Sequence, residues 1–204
     1  MATIQEFLAT RNITSLLHFT QVDNLDSILD VGLMTPGMCE LLDIKTKTND
    51  AVRHDGQDAI CLSIEFPNYQ LYWSFQNRDV NVQWVIIELI IDVLWVKRCC
   101  FCTNNAASNE VSAQTFESRQ GLPALRALFD DYDNKKRAEL NVPDYYTTNP
   151  QAEVLCIDSI SPEFIKALYF NRLDPWNQYK LSHPELNVKW GTFFKYRRDW
   201  NNWK

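Results

Sequence analysis

Two side chains in this sequence sit where their surroundings do not explain them. His18 lies inside the apolar run Ser15–Thr20, SLLHFT. There an imidazole can serve as a hydrogen-bonded core residue or as a group that accepts and releases protons near neutrality. Glu153 lies in QAEVLCI, where strand alternation places Ala152, Val154 and Cys156 on one face and Glu153, Leu155 and Ile157 on the other. A carboxylate sharing a face with two apolar side chains is costly unless it is paired, at work, or able to reach solvent at the strand end. Arg53, in the loop segment DAVRHDG, is a third candidate and by default a solvated loop arginine.

Other chemistries are poorly served. The chain has no G-x-G-x-x-G, no G-K-[ST] and no G-x-S-x-G, so Rossmann, P-loop and nucleophile-elbow enzymes are not indicated. Of six cysteines, Cys99, Cys100 and Cys102 crowd one segment while Cys39, Cys61 and Cys156 are scattered. That spacing supports neither a disulfide framework nor a zinc site, and no metal is expected. The longest apolar stretch, Trp84 to Ile91, carries Glu88 and is too short for a bilayer. With no basic-then-apolar leader after Met1, the expectation is a soluble, cytoplasmic protein without a membrane partner.

The net charge of −6 argues against bulk electrostatic coating of nucleic acid, but the charge is unevenly spread. Lys189, Lys195, Arg197, Arg198 and Lys204 face one acid, Asp199, in the last sixteen residues, interleaved with Trp190, Phe193, Phe194, Tyr196, Trp200 and Trp203. Cations beside flat rings suit a single strand of nucleic acid. Lys195, Arg197 and Arg198 are therefore candidate substrate contacts. The alternative is a terminal strand and helix whose rings pack on the core while the cations face water.

These residues must be positioned by a scaffold, which reads as one domain over 1–204, with no internal repeat or linker. A short amphipathic helix is expected at Ile4–Leu8. Next come a strand at Ser15–Thr20 and a helix of about ten residues from Asp23 to a stop at Gly32. A polar loop runs from Thr46 to Asp58, followed by a strand at Ala59–Ile64 and an aromatic segment, Tyr69–Phe75. Strands are expected at Trp84–Ile91, near Lys97–Cys102, at Ala152–Ile157 and at Lys166–Phe170, with a helix at Leu122–Phe129 and a long polar loop at Lys135–Pro150. This irregular order points to an α+β fold with a split or bent sheet.

Two blocks carry a family resemblance. Leu17 to Thr35, LHFTQVDNLDSILDVGLMT, resembles the opening of the DarT family of nucleic-acid ADP-ribosyltransferase toxins, in which a histidine-bearing strand precedes a DNL-x-x-IL-x-x-GL helix. Pro150 to Ile157, PQAEVLCI, resembles that family's Q-A-E strand, and the order and separation of the blocks agree. The resemblance implies a split β-sheet of the ADP-ribosyltransferase type, with NAD as co-substrate in the cleft. His18 and Asn24 would bind NAD, and Glu153 would be the catalytic glutamate. Arg53 would lie near the NAD phosphates and support catalysis. Tyr72, in QLYWSF, would be an aromatic cofactor contact, and Lys135–Pro150 the substrate-recognising loop.

In place of the proline-aromatic strand and PRS-x-MLY segment of the thymidine-modifying branch, this chain has AICLSIEFPNYQLYWSF. That segment is more similar to the guanine-modifying branch. The resemblance thus implies single-stranded DNA as substrate, a toxin-antitoxin or phage-defence role, and a NADAR or macrodomain antitoxin as partner. RNA as the polymer, a catalytically silent nucleic-acid-binding module and a protein-modifying transferase are the alternatives.

Overall fold

The computed structural model describes residues 3–48 and 58–204. Strands span Ser15–Gln21 (β1), Ile60–Ile64 (β2), Trp84–Ile90 (β3), Cys99–Cys102 (β4), Glu153–Cys156 (β5), Ile165–Phe170 (β6) and Val188–Trp190 (β7). Helices span Ile4–Thr10 (α1), Leu25–Val31 (α2), Pro36–Leu41 (α3), Tyr69–Arg78 (α4), Val93–Val96 (α5), Asn109–Ser112 (α6), Gly121–Ala127 (α7), Arg137–Leu140 (α8) and Leu173–Ser182 (α9).

All seven strands join one sheet in the order β4-β5-β2-β1-β3-β6-β7, antiparallel except for β6 with β7. The joint between β1 and β2 is the weak one. Along β3, β1 pairs through its whole length, from Ser15↔Ile90 to Gln21↔Trp84. Along β2 it pairs only at Leu16↔Ile64 and Leu17↔Ser63. Beyond that point β2 turns to β5, pairing Ile60↔Cys156, Cys61↔Leu155 and Leu62↔Val154. Past Leu17 the sheet therefore splits, as an ADP-ribosyltransferase fold was expected to do. Glu65 closes the paired end, its carboxylate accepting the N–H groups of Thr14 and Ser15.

Each strand face is sealed differently. Leu16, Leu62, Ile87, Val154 and Leu168 build the main core with Leu8 of α1, Ile28 of α2, Leu125 of α7 and Tyr179 of α9. On the other face the cover is mostly irregular chain. Ala106, Val111 and Phe116 lie over Cys100, Cys102 and Leu155, while Phe193 and Phe194 lie over Leu17, Ile86 and Tyr169. Burying such side chains stabilises the fold by about 1.5–3 kcal/mol each.

Local chemistry sets the helix ends. Thr3 and Glu6 form a reciprocal capping box at α1. Gly32 ends α2 at φ 89°, where an added Cβ would strike the Ile160 backbone carbonyl, so only glycine fits. Thr35 caps α3 and donates to the Asp58 carboxylate at 2.7 Å, which also takes the Gly37 N–H at 2.8 Å.

The expected strands and helices appear with ends that coincide or shift by at most two residues. The aromatic segment after Pro67 is a helix, α4. The expected long loop at 135–150 is more ordered than its polarity suggests: it contains α8, and Thr147, Thr148 and Asn149 are buried. The helices α3, α5, α6 and α9 have no counterpart in the sequence reading, and α9 is the longest of them. The helix α9 buries only Pro175 and Tyr179 and exposes Leu173 and Leu181, so it lacks an apolar stripe to read. Among the described residues no helix is long and apolar enough to cross a membrane.

Candidate active site

The catalytic candidate is built from the strand outward. The turn before β5 is fixed by Asn149, whose side-chain amide donates to the Thr103 carbonyl at 3.0 Å and to Asn104 Oδ1 at 3.1 Å. Its own Oδ1 accepts the Gln151 N–H at 2.9 Å. Glu153 then opens the strand at 4 % exposure. Its Oε2 accepts the Ala106 N–H at 2.8 Å, and its Oε1 accepts Asn105 Nδ2 at 3.1 Å and, more weakly, Asn68 Nδ2 at 3.5 Å. These amide donors fix the orientation of the carboxylate.

His18 enters from the other side of the split. Its Nδ1 lies 2.9 Å from the Cys61 carbonyl. A carbonyl only accepts, so Nδ1 carries the proton and Nε2 is left as an acceptor. Burial pushes the imidazole below its ordinary pKa, partly offset by the bond to Cys61, and this keeps the neutral form at physiological pH. The side-chain bond replaces the ladder that β1 and β2 abandon past Leu17, which ties the histidine's orientation to the split itself.

The gap between the two strands is a cleft of about 290 Å³ that receives His18, Asn24 and Glu153 together. Lys47, Asn68 and Asn105 add polar wall, and Ile28, Leu33, Met34, Leu71 and Phe75 add apolar wall. Asn24 is buried, and its amide is fully engaged. Its Nδ2 donates to Thr20 Oγ1 at 2.8 Å and to the Lys47 carbonyl at 2.9 Å, while its Oδ1 accepts the Lys47 N–H at 2.7 Å. In this geometry Asn24 pins the start of the 46–58 segment to the wall of the cleft. Arg53 lies outside the described residues.

Two sequence-derived assignments need correction. Tyr72 does not line the cleft. Its ring is 1 % exposed, wedged among Phe19, Trp84 and Phe194, with its hydroxyl donating to Gln76 at 3.1 Å. Burial pushes its phenol up to about 12. The helical turn is the reason: Asn68, Leu71 and Phe75 share the cleft side of α4 at three- and four-residue spacing, and Tyr72 points into the aromatic core.

Arg197 is not a surface cation. At 2 % exposure it forms a two-pronged ion pair with Asp199 at 2.7 and 2.6 Å and donates to the carbonyls of Thr147 and Thr148. It clamps the C-terminal segment to the turn that leads into Glu153. Lys195 and Arg198 are exposed.

Asn68, Asn105 and Ala106 were missed. Asn68 is legible in hindsight as an N-cap, its Oδ1 accepting the Leu71 N–H at 3.1 Å before a helical run. Nothing in TNNAASN singles out Asn105, whose role depends on β4 lying beside β5. Among the described residues no three or more His, Cys, Asp or Glu side chains converge as a metal site would require.

Solved structures share this architecture. The chain is similar to Thermus sp. 2.9 DarT in complex with ADP-ribosylated ssDNA, at 14 % identity and TM-score 0.59, over 91 % of this chain and 97 % of that one. It is likewise similar to Thermus sp. 2.9 DarT in complex with NAD+, at 13 % identity and TM-score 0.56, over 90 % and 98 %. A third, Thermosipho africanus DarTG in complex with ADP-ribose, aligns at 16 % identity and TM-score 0.54 over 88 % of this chain but only 50 % of that one. No protein of curated function matches at the sequence level. The sequence model described as "ssDNA thymidine ADP-ribosyltransferase, DarT" matches residues 17–185, so the chain belongs to the DarT family.

Proposed function

We propose that this protein transfers ADP-ribose from NAD to a nucleobase of single-stranded DNA, with Glu153 as the catalytic carboxylate. The observation that carries this reading is the meeting of a buried, amide-held carboxylate and a neutral histidine in one cleft opened by the split sheet. In this reaction the bond between nicotinamide and ribose C1′ breaks, and its electrons leave with nicotinamide. A bond forms from the base nitrogen to C1′, and the nitrogen's proton passes to Glu153. The carboxylate stabilises positive charge developing on the ribose and accepts that proton. His18 Nε2 accepts from a ribose hydroxyl, and Arg53 pairs with the pyrophosphate. The apolar wall formed by Leu33, Met34 and Phe75 suits a ring system.

Guanine is the proposed base, a reading that rests on AICLSIEFPNYQLYWSF standing where the thymidine-modifying branch has its own segment. The biological setting proposed is a cytoplasmic toxin opposed by a NADAR or macrodomain antitoxin, in toxin-antitoxin or phage-defence systems. Mass spectrometry of mixed DNA and RNA oligonucleotides incubated with NAD tests the chemistry. The expected result is a gain of one ADP-ribose unit on a guanine-containing DNA strand, lost in Glu153→Gln. Modification at thymine overturns the base assignment alone. Modification of RNA only overturns the polymer, and no gain on either polymer overturns the reaction.

A further inference from the structure

The C-terminal segment carries an exposed surface that the cleft does not explain. Trp73, Tyr196 and Trp200 form a near-parallel stack, with centroids 5.5 and 5.1 Å apart and planes 28° and 24° apart. Tyr196, at its centre, is 49 % exposed. The ammonium of Lys204 sits 4.0 Å above the Trp200 ring, and that of Lys135 lies 5.5 Å from the Trp203 ring. Rings of this size facing water are costly to a chain that needs them only for packing.

The charge of this surface is also one-sided. Between Gly191 and Lys204 the exposed charged side chains are Lys195, Arg198 and Lys204. The segment's one acid, Asp199, is buried under the Arg197 guanidinium and accepts the Trp203 indole N–H at 2.7 Å. Removing that acid from the surface leaves the exposed charges of this segment all positive, on a protein whose overall charge is −6.

The ladder is tied to neighbouring segments and adjoins the cleft. Arg197 fixes it to the Thr147 and Thr148 carbonyls, and Gln70 donates to the Trp203 carbonyl at 2.9 Å. Tyr69 meets the Tyr196 ring edge-on at 5.7 Å, and its chain neighbour Asn68 reaches the Glu153 carboxylate. A strand leaving the cleft along α4 would meet the ladder next.

From these observations we infer that Trp73, Tyr196 and Trp200, with Lys195, Arg198 and Lys204, form a platform for the single-stranded DNA that flanks the modified base. The inference rests on the reading that the substrate is single-stranded DNA. A flanking base takes the outer face of Trp200 in place of the Lys204 ammonium, which moves to a phosphate. Stacking of this kind accepts any base, so the platform adds affinity and reach, not sequence preference.

The test compares oligonucleotides of about four and about twelve nucleotides, the range of single-strand site sizes. Two variants are used: Trp200→Ala, which removes the outer ring, and the exposed pair Lys195→Glu with Arg198→Glu, which leaves the buried clamp intact. Binding is read by anisotropy without NAD, and modification by kcat/KM for each length. In both variants the preference for the long strand should fall about ten- to a hundred-fold, the scale of one stacked base. The charge-reversed pair should also flatten the salt dependence of binding by a log-log slope of about 1 to 2.

Unchanged length preference in the charge-reversed pair overturns the platform while leaving the reaction standing. Equally tight binding of duplex DNA, whose bases offer no free faces, overturns it too. Binding of the long strand that depends on the platform, with no transfer to any oligonucleotide, keeps the platform and overturns the reaction.

Discussion

Glu88 and Glu153 are two buried carboxylates on one face of one sheet, and they are held by different sets of partners. The register connects them: Leu155 pairs with Cys61, Ser63 with Leu17, and Leu17 with Glu88, so both project to the same side. Glu88, 5 % exposed, binds Lys166 at 2.8 Å, takes the Tyr169 hydroxyl at 2.7 Å and has Lys189 at 3.7 Å. Burial alone would raise its pKa, but the bonds to Lys166 and Tyr169 and the two ammonium charges outweigh it and hold it below the usual value. Glu153 is held by a backbone N–H and two side-chain amides and faces a cleft. Cations partner the first carboxylate, so it stabilises structure. A backbone N–H and side-chain amides orient the second toward the cleft.

Exchanging each for glutamine is the sharpest way to break that comparison. Glu153→Gln should lower kcat for ADP-ribose transfer by about 10³-fold with a small change in melting temperature. Glu88→Gln leaves Lys166 and Lys189 without a counter-charge. Because those lysines are partly exposed, the loss should be about 1–2 kcal/mol, read as a melting point lower by a few degrees, with transfer retained. Equal losses of activity in the two variants would erase the distinction.

A finer test removes one amide from around Glu153. Asn105→Ala should reduce kcat about ten-fold while the melting point holds, since it deletes one orienting bond and leaves the Ala106 N–H in place. If kcat is unchanged, the amide does not orient the carboxylate.

The smallest effects are those of pH, and they separate the two regions. His18 has a folded-state pKa below 6.5, so the unfolded chain binds its proton first as pH falls. Its contribution to stability is therefore complete above pH 6.5 and is lost as pH drops through the lowered folded value. The folded-state pKa of Glu88 is below 4.5, so its contribution is complete above pH 4.5 and fades only beneath it. Denaturation midpoints measured from pH 8 to pH 4 should show a decline beginning below 6.5 that is absent in His18→Phe. Glu88→Gln should preserve that decline and flatten the curve only below about 4.5. A decline that persists in His18→Phe would assign it to another group.

The site was legible where composition and position disagreed locally. A histidine inside the apolar run SLLHFT and a glutamate that strand alternation places on an apolar face in QAEVLCI stand out, and both line the cleft. The family resemblance suggested a ligand contact for Tyr72, and type and neighbourhood suggested one for Arg197, but helical phase turned Tyr72 into the core, and a buried partner two residues away claimed Arg197. Asn105 could not be read at all, because its bond to Glu153 spans 48 residues.

The sequence by itself determined six of the seven strands, the helix between Asn24 and Gly32, and the two anomalous side chains, since periodicity and capping act within a few residues. Only the tertiary structure decided that β2 leaves β1 after Leu17 to follow β5, and that one cleft therefore receives both His18 and Glu153. It also decided that Lys166 and Lys189 meet Glu88 while Asn68, Asn105 and the Ala106 N–H meet Glu153. Strand partners and counter-charges come from distant parts of the chain, and no local pattern encodes which of them will meet.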